Sequence, residues 1–425
     1  MFFMSDCPSN LFTLGWHKKG ESMRKIGFVS LFSGAGGLDI GLEASGFSCL
    51  YASDIDPAAY KTLLANKHRD PHHLKDAIIE HADVSRTTGI HILNAIGAAR
   101  GQIPLLVGGP PCQSWSSAGH QKGWLDPRGR LFDDFVRLAG ELDVRWLLFE
   151  NVRGLLTARG PDGVPGSALA LIRTKLLGAG FQTQVALLNS ADYGVPQRRV
   201  RLVVVGYRVG DQIQFPETSH SKTNPAKPWI SMSQAMASVG DLDADEVIRP
   251  NGKLLTELVA LRPGSGVKSP GKTESTRPGG HWGYKQGAFI ADTSIPARTV
   301  TANSQQDWVV DEALGIRRLC PRECAALQTF PSDWIFAGKR TDQYRLIGNA
   351  VPPLLARKLG EALREHILEA WEHRRASTAS LQPLAPKLQA AIQYTAKEEW
   401  RNGPSRRLAP DRRRRAMSEL ALGSR

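Results

Sequence analysis

The sequence predicts an α/β protein: a doubly wound, mostly parallel sheet joined to a small, loop-rich second domain. Three observations lead there. Between Lys25 and Tyr207, apolar runs of strand length alternate with segments of helical pattern, the order that builds parallel sheets. A glycine-rich turn, FSGAGGLDIG (residues 32–41), follows the first apolar run and opens into an amphipathic segment. The alternation then fades after Tyr207, where residues 208–295 are rich in Pro, Gly, Ser and Thr.

Taken in order, IGFVSLF is the first strand, and its helix stops at Gly46. FSCLYASDID is a second strand with acidic residues at its end, and PAAYKTLLANK its helix, with Pro57 suited to the first helical turn. HADV ends a third strand or lies in its loop; IPLLVGG is a fourth strand and VRWLLFENV a fifth. GSALALIRTKLLGAG reads as a helix, before the strands FQTQVALLNS and RRVRLVVVGY. Trp229, Trp282, Tyr284 and Phe289 make residues 208–295 a folded domain rather than a linker. Regular structure resumes over 296–375, with helices from Pro321 and after Pro353 that return the chain to the first domain. Residues 1–24 read as an N-terminal extension, and 376–425 as a disordered, basic tail. Met23 directly precedes the first strand, which leaves the true start open.

The formal net charge is +13, which points to a polyanionic partner, nucleic acid before others. Part of that excess lies in RRLAPDRRRR near the carboxyl end, which is equally well a solvated charge run. No apolar run is long enough to cross a membrane, and the amino terminus lacks the pattern of a secretion signal. Five scattered cysteines form neither a disulfide framework nor a metal site, so a reducing, cytoplasmic setting and no bound metal are expected.

The chemistry-bearing residues cluster at the expected carboxyl edge of the sheet, where open α/β folds bind ligands. Gly34, Gly36 and Gly37 allow a tight turn, though Asp39 occupies the slot of the third glycine in the dinucleotide fingerprint. Asp54 stands twenty positions after Gly34, the spacing of a carboxylate that binds ribose hydroxyls, and Asp83 is placed to accept from an adenine amine. The alternative for each acid is a helix cap, which is the better reading for Asp56 beside Pro57. Cys112 follows GGPP at the end of the fourth strand. Two prolines make a stiff, exposed corner there, which favours a reactive thiol over the usual buried packing role. Glu150, ending the apolar run WLLFE, needs a function or a partner such as Arg199 or Arg201.

In order and spacing, FSGAGG, ASDID, ADV, GGPPCQSWS, DPRGRLF, ENV, QRRVR and GNAVPP resemble the DNA (cytosine-5-)-methyltransferases, the bacterial restriction–modification type in particular. The similarity runs from about Ile26 to Leu363, the middle region excepted. The resemblance implies a class I, Rossmann-like methyltransferase fold that binds S-adenosyl-L-methionine and double-stranded DNA. It assigns Cys112 as the nucleophile that adds to carbon 6 of a flipped cytosine, and Glu150 to ring nitrogen 3 and the amino group. Arg201 is assigned to the base carbonyl, with Arg199 in support. For the cofactor it implies Phe32 and Ile55 about the adenine, Asp54 at the ribose and Asp83 at the amine. Ser33, Gly34, Gly36, Gly37, Val84, Pro110, Leu131, Asn349 and Ala350 complete that set. The family often has an aromatic residue where this chain has Ile55. For DNA it implies Gln113, Ser114, Ser116, Ser117, Gln121 and Lys122, on a loop that closes over the duplex, together with Gln197. Residues 208–295 stand where the family inserts its target-recognition domain. A monomer and a cognate restriction endonuclease acting on the same site are further expectations.

Three other functions compete. A nicotinamide-dependent oxidoreductase explains the glycine turn and Asp54 but little else. A tRNA cytosine methyltransferase shares the motifs but usually lacks a sizeable recognition domain. A catalytically silent DNA-binding protein has no need of Cys112, Glu150 and Arg201 together.

Overall fold

Among the described residues, seven strands form one sheet: β1 (Ile26–Leu31), β2 (Phe47–Asp54), β3 (Ile78–His81), β4 (Leu105–Gly108), β5 (Trp146–Val152), β6 (Gln182–Asn189) and β7 (Val200–Tyr207). The computed structural model describes residues 25–67, 69, 73–111, 131–210, 212–273, 287–373 and 380–402. The sheet order is β3-β2-β1-β4-β5-β7-β6. The first five strands pair in parallel, whereas β7 runs antiparallel to both β5 and β6.

Alternate residues of each strand leave opposite faces of the sheet, and both faces are apolar, so helices cover both. Phe28, Leu105, Val107, Trp146 and Leu148 enter one core, and Val29, Leu31, Leu106, Leu147 and Phe149 the other. The helices α1 (Gly37–Glu43), α2 (Pro57–Lys67), α3 (Gly89–Ile96), α4 (Leu131–Leu142) and α5 (Ser167–Gly178) follow β1 to β5 in turn. The chain leaves β1 for β2 on one side and returns to β4 on the other. This is the topological switch that opens a crevice beyond the strand ends.

The second domain contains α6 (Met232–Met236), α7 (Gly252–Val259), β8 (Ser265–Gly266), β9 (Phe289–Ile290), β10 (Trp308–Asp311) and β11 (Gly315–Arg318), with the sheet order β11-β10-β9-β8. Leu258, Ile290 and Trp308 form its small core. This sheet continues past residue 295, the expected end of the domain. β10 pairs with β9, and β11 extends the same sheet to Arg318.

The chain then returns through α8 (Pro321–Leu327), α9 (Arg340–Asn349) and α10 (Pro353–His373), the last lying along α1. The approach is close: a Cβ on Gly41 would stand 2.4 Å from the Pro353 carbonyl oxygen. Residues 1–24 and 403–425 lie outside the described residues, but the expectation of a disordered tail from 376 fails for α11 (Pro386–Asn402). Leu388 is buried in the core that holds Leu155 and Leu156, and Ile392 covers Gly166 at the start of α5. Arg173, buried on α5, donates to the Gln382 carbonyl just ahead of the helix. The Arg-rich composition downstream masks this short apolar stripe of Leu388, Ala391 and Ile392.

Leu388→Ala should therefore cost about 2–4 kcal/mol in urea unfolding, as for other buried leucines. A change under about 0.5 kcal/mol, the size of an ordinary surface substitution, would mean that α11 is not docked.

Candidate active site

Beyond the ends of β1 and β4 lies a cleft of about 360 Å³, within the range of small-molecule sites. Its first wall is the turn after β1. Phe32 adopts the left-handed region at φ 58°, and Gly34 follows at φ 55°, so the chain doubles back at the strand end. Nothing lies within 4 Å of where a Gly34 Cβ would stand, and the residue lines the cleft, so the missing side chain leaves room for a ligand. Asp54 ties this turn to β2. Its Oδ2 accepts from the Gly34 amide at 2.8 Å and its Oδ1 from the Asp56 amide at 2.8 Å. Burial raises its carboxyl above the ordinary range, against the pull of the Gly34 amide and Arg345. Each oxygen retains a lone pair for a hydroxyl donor.

Beside it Ile55 is 60% exposed, an aliphatic surface open to the cleft. Asp56 takes the capping role, accepting from the Ala58 amide at 2.9 Å, and pairs with Arg345. Asp83 holds a local turn, its Oδ1 accepting from the Ser85 amide and hydroxyl at 3.0 and 2.8 Å. Those bonds lower its pKa and keep it an acceptor. Ser33, Val84, Pro110, Leu131, Asn349 and Ala350 line the same cleft, and so does Gly37. Gly36 shapes the turn at φ 80° beneath the lining residues, its Cβ position facing Leu63 and Trp334.

The opposite wall carries Glu150 and Arg201. Because β7 is antiparallel to β5, Arg201 opposes Val152 and Glu150 opposes Val203, so the two charged residues are diagonal neighbours on one face. Arg201 Nε stands 2.8 Å from Glu150 Oε1, with side chains only 10% and 12% exposed. Burial pushes the Glu150 carboxyl up, and Arg201 and then Arg199 pull it down. Next to it, Asn151 donates through Nδ2 to the Pro110 carbonyl at 3.3 Å. The asparagine of ENV thus steadies the double-proline corner, a role that its position after Glu150 does not disclose. Pro111 lines the cleft immediately before Cys112. Cys112 itself lies outside the described residues, as do Gln113, Ser114, Ser116, Ser117, Gln121 and Lys122.

Arg199, expected in support of Arg201, does not line the cleft. It is fully buried and donates to the carbonyls of Val300, Gly348 and Ala350 at 3.0, 2.7 and 2.9 Å. It therefore clamps the returning chain that supplies Asn349 and Ala350. Gln197, expected at the DNA, is also fully buried. Its Nε2 donates to Gln328 Oε1 at 3.0 Å and the Leu327 carbonyl at 3.3 Å, and its Oε1 accepts from the Val300 amide at 2.8 Å. The basic run QRRVR resembles a surface patch, but its first and third residues are consumed in joining the two halves of the chain. Arg345 and Ser30 line the cleft without having been singled out, and nothing in their local sequence marks them.

Gln197→Ala should lower stability by about 2–4 kcal/mol, because it strands buried donors and acceptors. DNA affinity should be unchanged where the variant is folded. Weaker DNA binding at full stability would return Gln197 to the interface.

Residues 26–365 match the C-5 cytosine-specific DNA methylase family. The chain is 32% identical over 344 residues to the Type II methyltransferase M1.HphI of Haemophilus parahaemolyticus, covering 79% of this chain and 86% of the relative. It is 29% identical over 359 residues to the Type II methyltransferase M.FnuDI of Fusobacterium nucleatum, covering 80% and 95%. Among solved structures, a DNMT2 variant from Spodoptera frugiperda superposes with a TM-score of 0.56 at 19% identity, over 80% of this chain and 100% of that one. The methyltransferase EhMeth of Entamoeba histolytica does so with a TM-score of 0.56 at 14% identity, over 81% and 99%. These two show the fold, a class I methyltransferase sheet. The match across most of the chain, together with the cleft it surrounds, shows that this protein belongs to the C-5 cytosine-specific DNA methylases.

Proposed function

We propose that the protein methylates carbon 5 of a cytosine within a specific duplex DNA sequence, using S-adenosyl-L-methionine and a covalent bond from Cys112. The observation that carries this reading is the sharing of one cleft by Asp54, Ile55 and Asp83 on one wall and the Glu150–Arg201 pair on the other.

The first wall fits the cofactor by the chemistry of its donor set. Asp54 offers acceptors for ribose hydroxyls, Asp83 an acceptor for the adenine amine, and Phe32 and Ile55 apolar surfaces for the ring. Leu131, Asn349 and Ala350 close the remainder. When bound, S-adenosylmethionine supplies an electrophilic methyl group. The cytosine has to leave the duplex stack for its ring carbons to become accessible. The Cys112 thiolate adds to carbon 6, and the electron pair of the 5,6 double bond makes carbon 5 nucleophilic. Glu150 contacts nitrogen 3 and the amino group, stabilising the charge that develops on the ring, while Arg201 holds the base carbonyl. After methyl transfer, loss of the carbon 5 proton restores the double bond and expels Cys112. Arg199 acts through the chain that it clamps.

Residues 112–130, which follow Pro111 in the chain, are assigned to the duplex, with Gln113, Ser114, Ser116, Ser117, Gln121 and Lys122 as phosphate and groove contacts. The loop-rich domain expected over residues 208–295, whose sheet continues to Arg318, is assigned to reading the target sequence from the major groove. The Type II names of the relatives support extending this reading to a protective role beside a restriction endonuclease, and we take the enzyme to act as a cytoplasmic monomer. No helix among the described residues is long and apolar enough to cross a membrane.

The test is incubation with methyl-labelled S-adenosylmethionine and either duplex DNA or tRNA. Label should enter DNA alone, and Cys112→Ser should abolish transfer while keeping DNA affinity. Label in tRNA and not DNA, or a fully active serine variant, would contradict the reading. Glu150→Gln should slow transfer by about 10²–10³-fold, the range for removing one stabilising contact. Unchanged single-turnover rates would remove Glu150 from the chemistry.

A further inference from the structure

Asp39 is the acidic residue of the glycine-rich segment that binds nothing in the scheme above. It lies in the first turn of α1 and is fully buried. Its Oδ1 accepts from the Ser30 hydroxyl at 2.5 Å, and the Ser33 hydroxyl donates in turn to Ser30 Oγ at 2.9 Å. Its Oδ2 has no hydrogen-bond partner among the described residues. Ser30 and Ser33 line the cleft, and Asp39 stands behind them.

The direction of these bonds matters. An ionised carboxylate only accepts, so Ser30 turns its O–H towards Asp39 and its oxygen accepts from Ser33. Ser33 spends its own proton inward. The oxygen atoms at the cleft are thus left as acceptors, backed by a buried negative charge that little water screens. Such an arrangement favours a cation. The methionine end of S-adenosylmethionine carries an ammonium and a sulfonium group.

We propose that Asp39 is a positioning residue that, through Ser30 and Ser33, holds an acceptor-ended hydrogen-bond chain against the cationic methionine end of the cofactor. This rests on the reading of the cleft as the S-adenosylmethionine site.

A dependence on pH follows. Burial, and then the charges of Glu43 on α1 and Asp54 at the end of β2, raise Asp39 to about 7, while the Ser30 and Ser33 hydroxyls pull it down. Cys49 on β2 is a further ionisable neighbour, its own thiol pushed up by burial and by Asp39. From α10 the surface presented to α1 at Gly41 is Ala356 and backbone of Pro353 and Arg357. The side chains of Arg357 and Lys358 pair with Glu361 on the same helix. Protonation of Asp39 removes the charge and the fixed direction of the chain, so cofactor affinity rises as pH rises through neutrality. The stability of the free protein moves the other way. A folded pKa of about 7 against 3.8 gives a contribution that is complete below 3.8 and lost as pH rises through 7.

The experiment is calorimetric titration of the full chain with S-adenosylmethionine at about pH 6 and pH 8, beside thermal melts. Linkage to one proton predicts about tenfold weaker binding at the lower pH for the wild type. Asp39→Asn should bind weakly with no such slope, and should melt higher than the wild type at pH 8. Ser30→Ala, which interrupts the chain while leaving the carboxyl, should flatten the slope as well. Wild-type affinity and slope in Asp39→Asn, or in a folded Ser30→Ala, would overturn the inference while leaving the cofactor reading intact. No binding by the wild type at either pH would overturn the cofactor reading, and this inference with it.

Discussion

The buried pair of Glu150 and Arg201 is the constraint to which the rest of the structure answers. A carboxylate at the end of an apolar strand is costly to bury, and a guanidinium beside it offsets that cost only at close range. Parallel neighbours do not bring the start of one strand to the end of another. The antiparallel insertion of β7 between β5 and β6 does, and places Arg201 diagonally across from Glu150 at the ligand edge. The sheet departs from parallel order at the strand that brings a cation to Glu150.

The other wall of the cleft is built at the switch point on the far side of β4. There the chain must turn sharply after β1, and Asp54 holds that turn through backbone amides while keeping lone pairs for a ligand. Pro110 and Pro111 stand between the two walls, steadied by Asn151. The cleft is finished by a segment from far along the chain: Arg199 grips the carbonyls of Gly348 and Ala350, fixing the wall that Asn349 and Ala350 supply. The Asp54 wall, the Glu150–Arg201 pair and the returning segment are thereby mechanically linked.

Much of this was legible in sequence because it depends on local pattern. Strand runs ending in Gly, Asp or Glu identify the ligand edge, and the spacing of Gly34 and Asp54 identifies the turn and the acid that holds it. What failed depended on distant partners. QRRVR reads as a uniform basic patch, yet Gln197 and Arg199 are buried because Val300, Gln328, Gly348 and Ala350 are brought to them by the return of the chain. The second sheet outran its expected boundary because strands of two and four residues carry no period that a sequence can display. Helix α11 was hidden by charge downstream, although its apolar residues Leu388, Ala391 and Ile392 dock it against the turn of Arg153–Thr157 and Gly166 ahead of α5. The Ser30–Asp39 bond joins residues nine apart in a segment that otherwise reads as a glycine turn.

The central claim is that Cys112 enters a cleft shared by cofactor and flipped base, and forms a bond to carbon 6. The most direct measurement uses duplex DNA in which cytosine at the target site is replaced by 5-fluorocytosine. Fluorine takes the place of the proton that must leave, so the covalent complex cannot resolve. In the presence of S-adenosylmethionine, mass spectrometry of the digested complex should find the methylated base attached to the peptide that contains Cys112. An adduct on another residue, or efficient turnover of the fluorinated duplex with no adduct, would contradict the account.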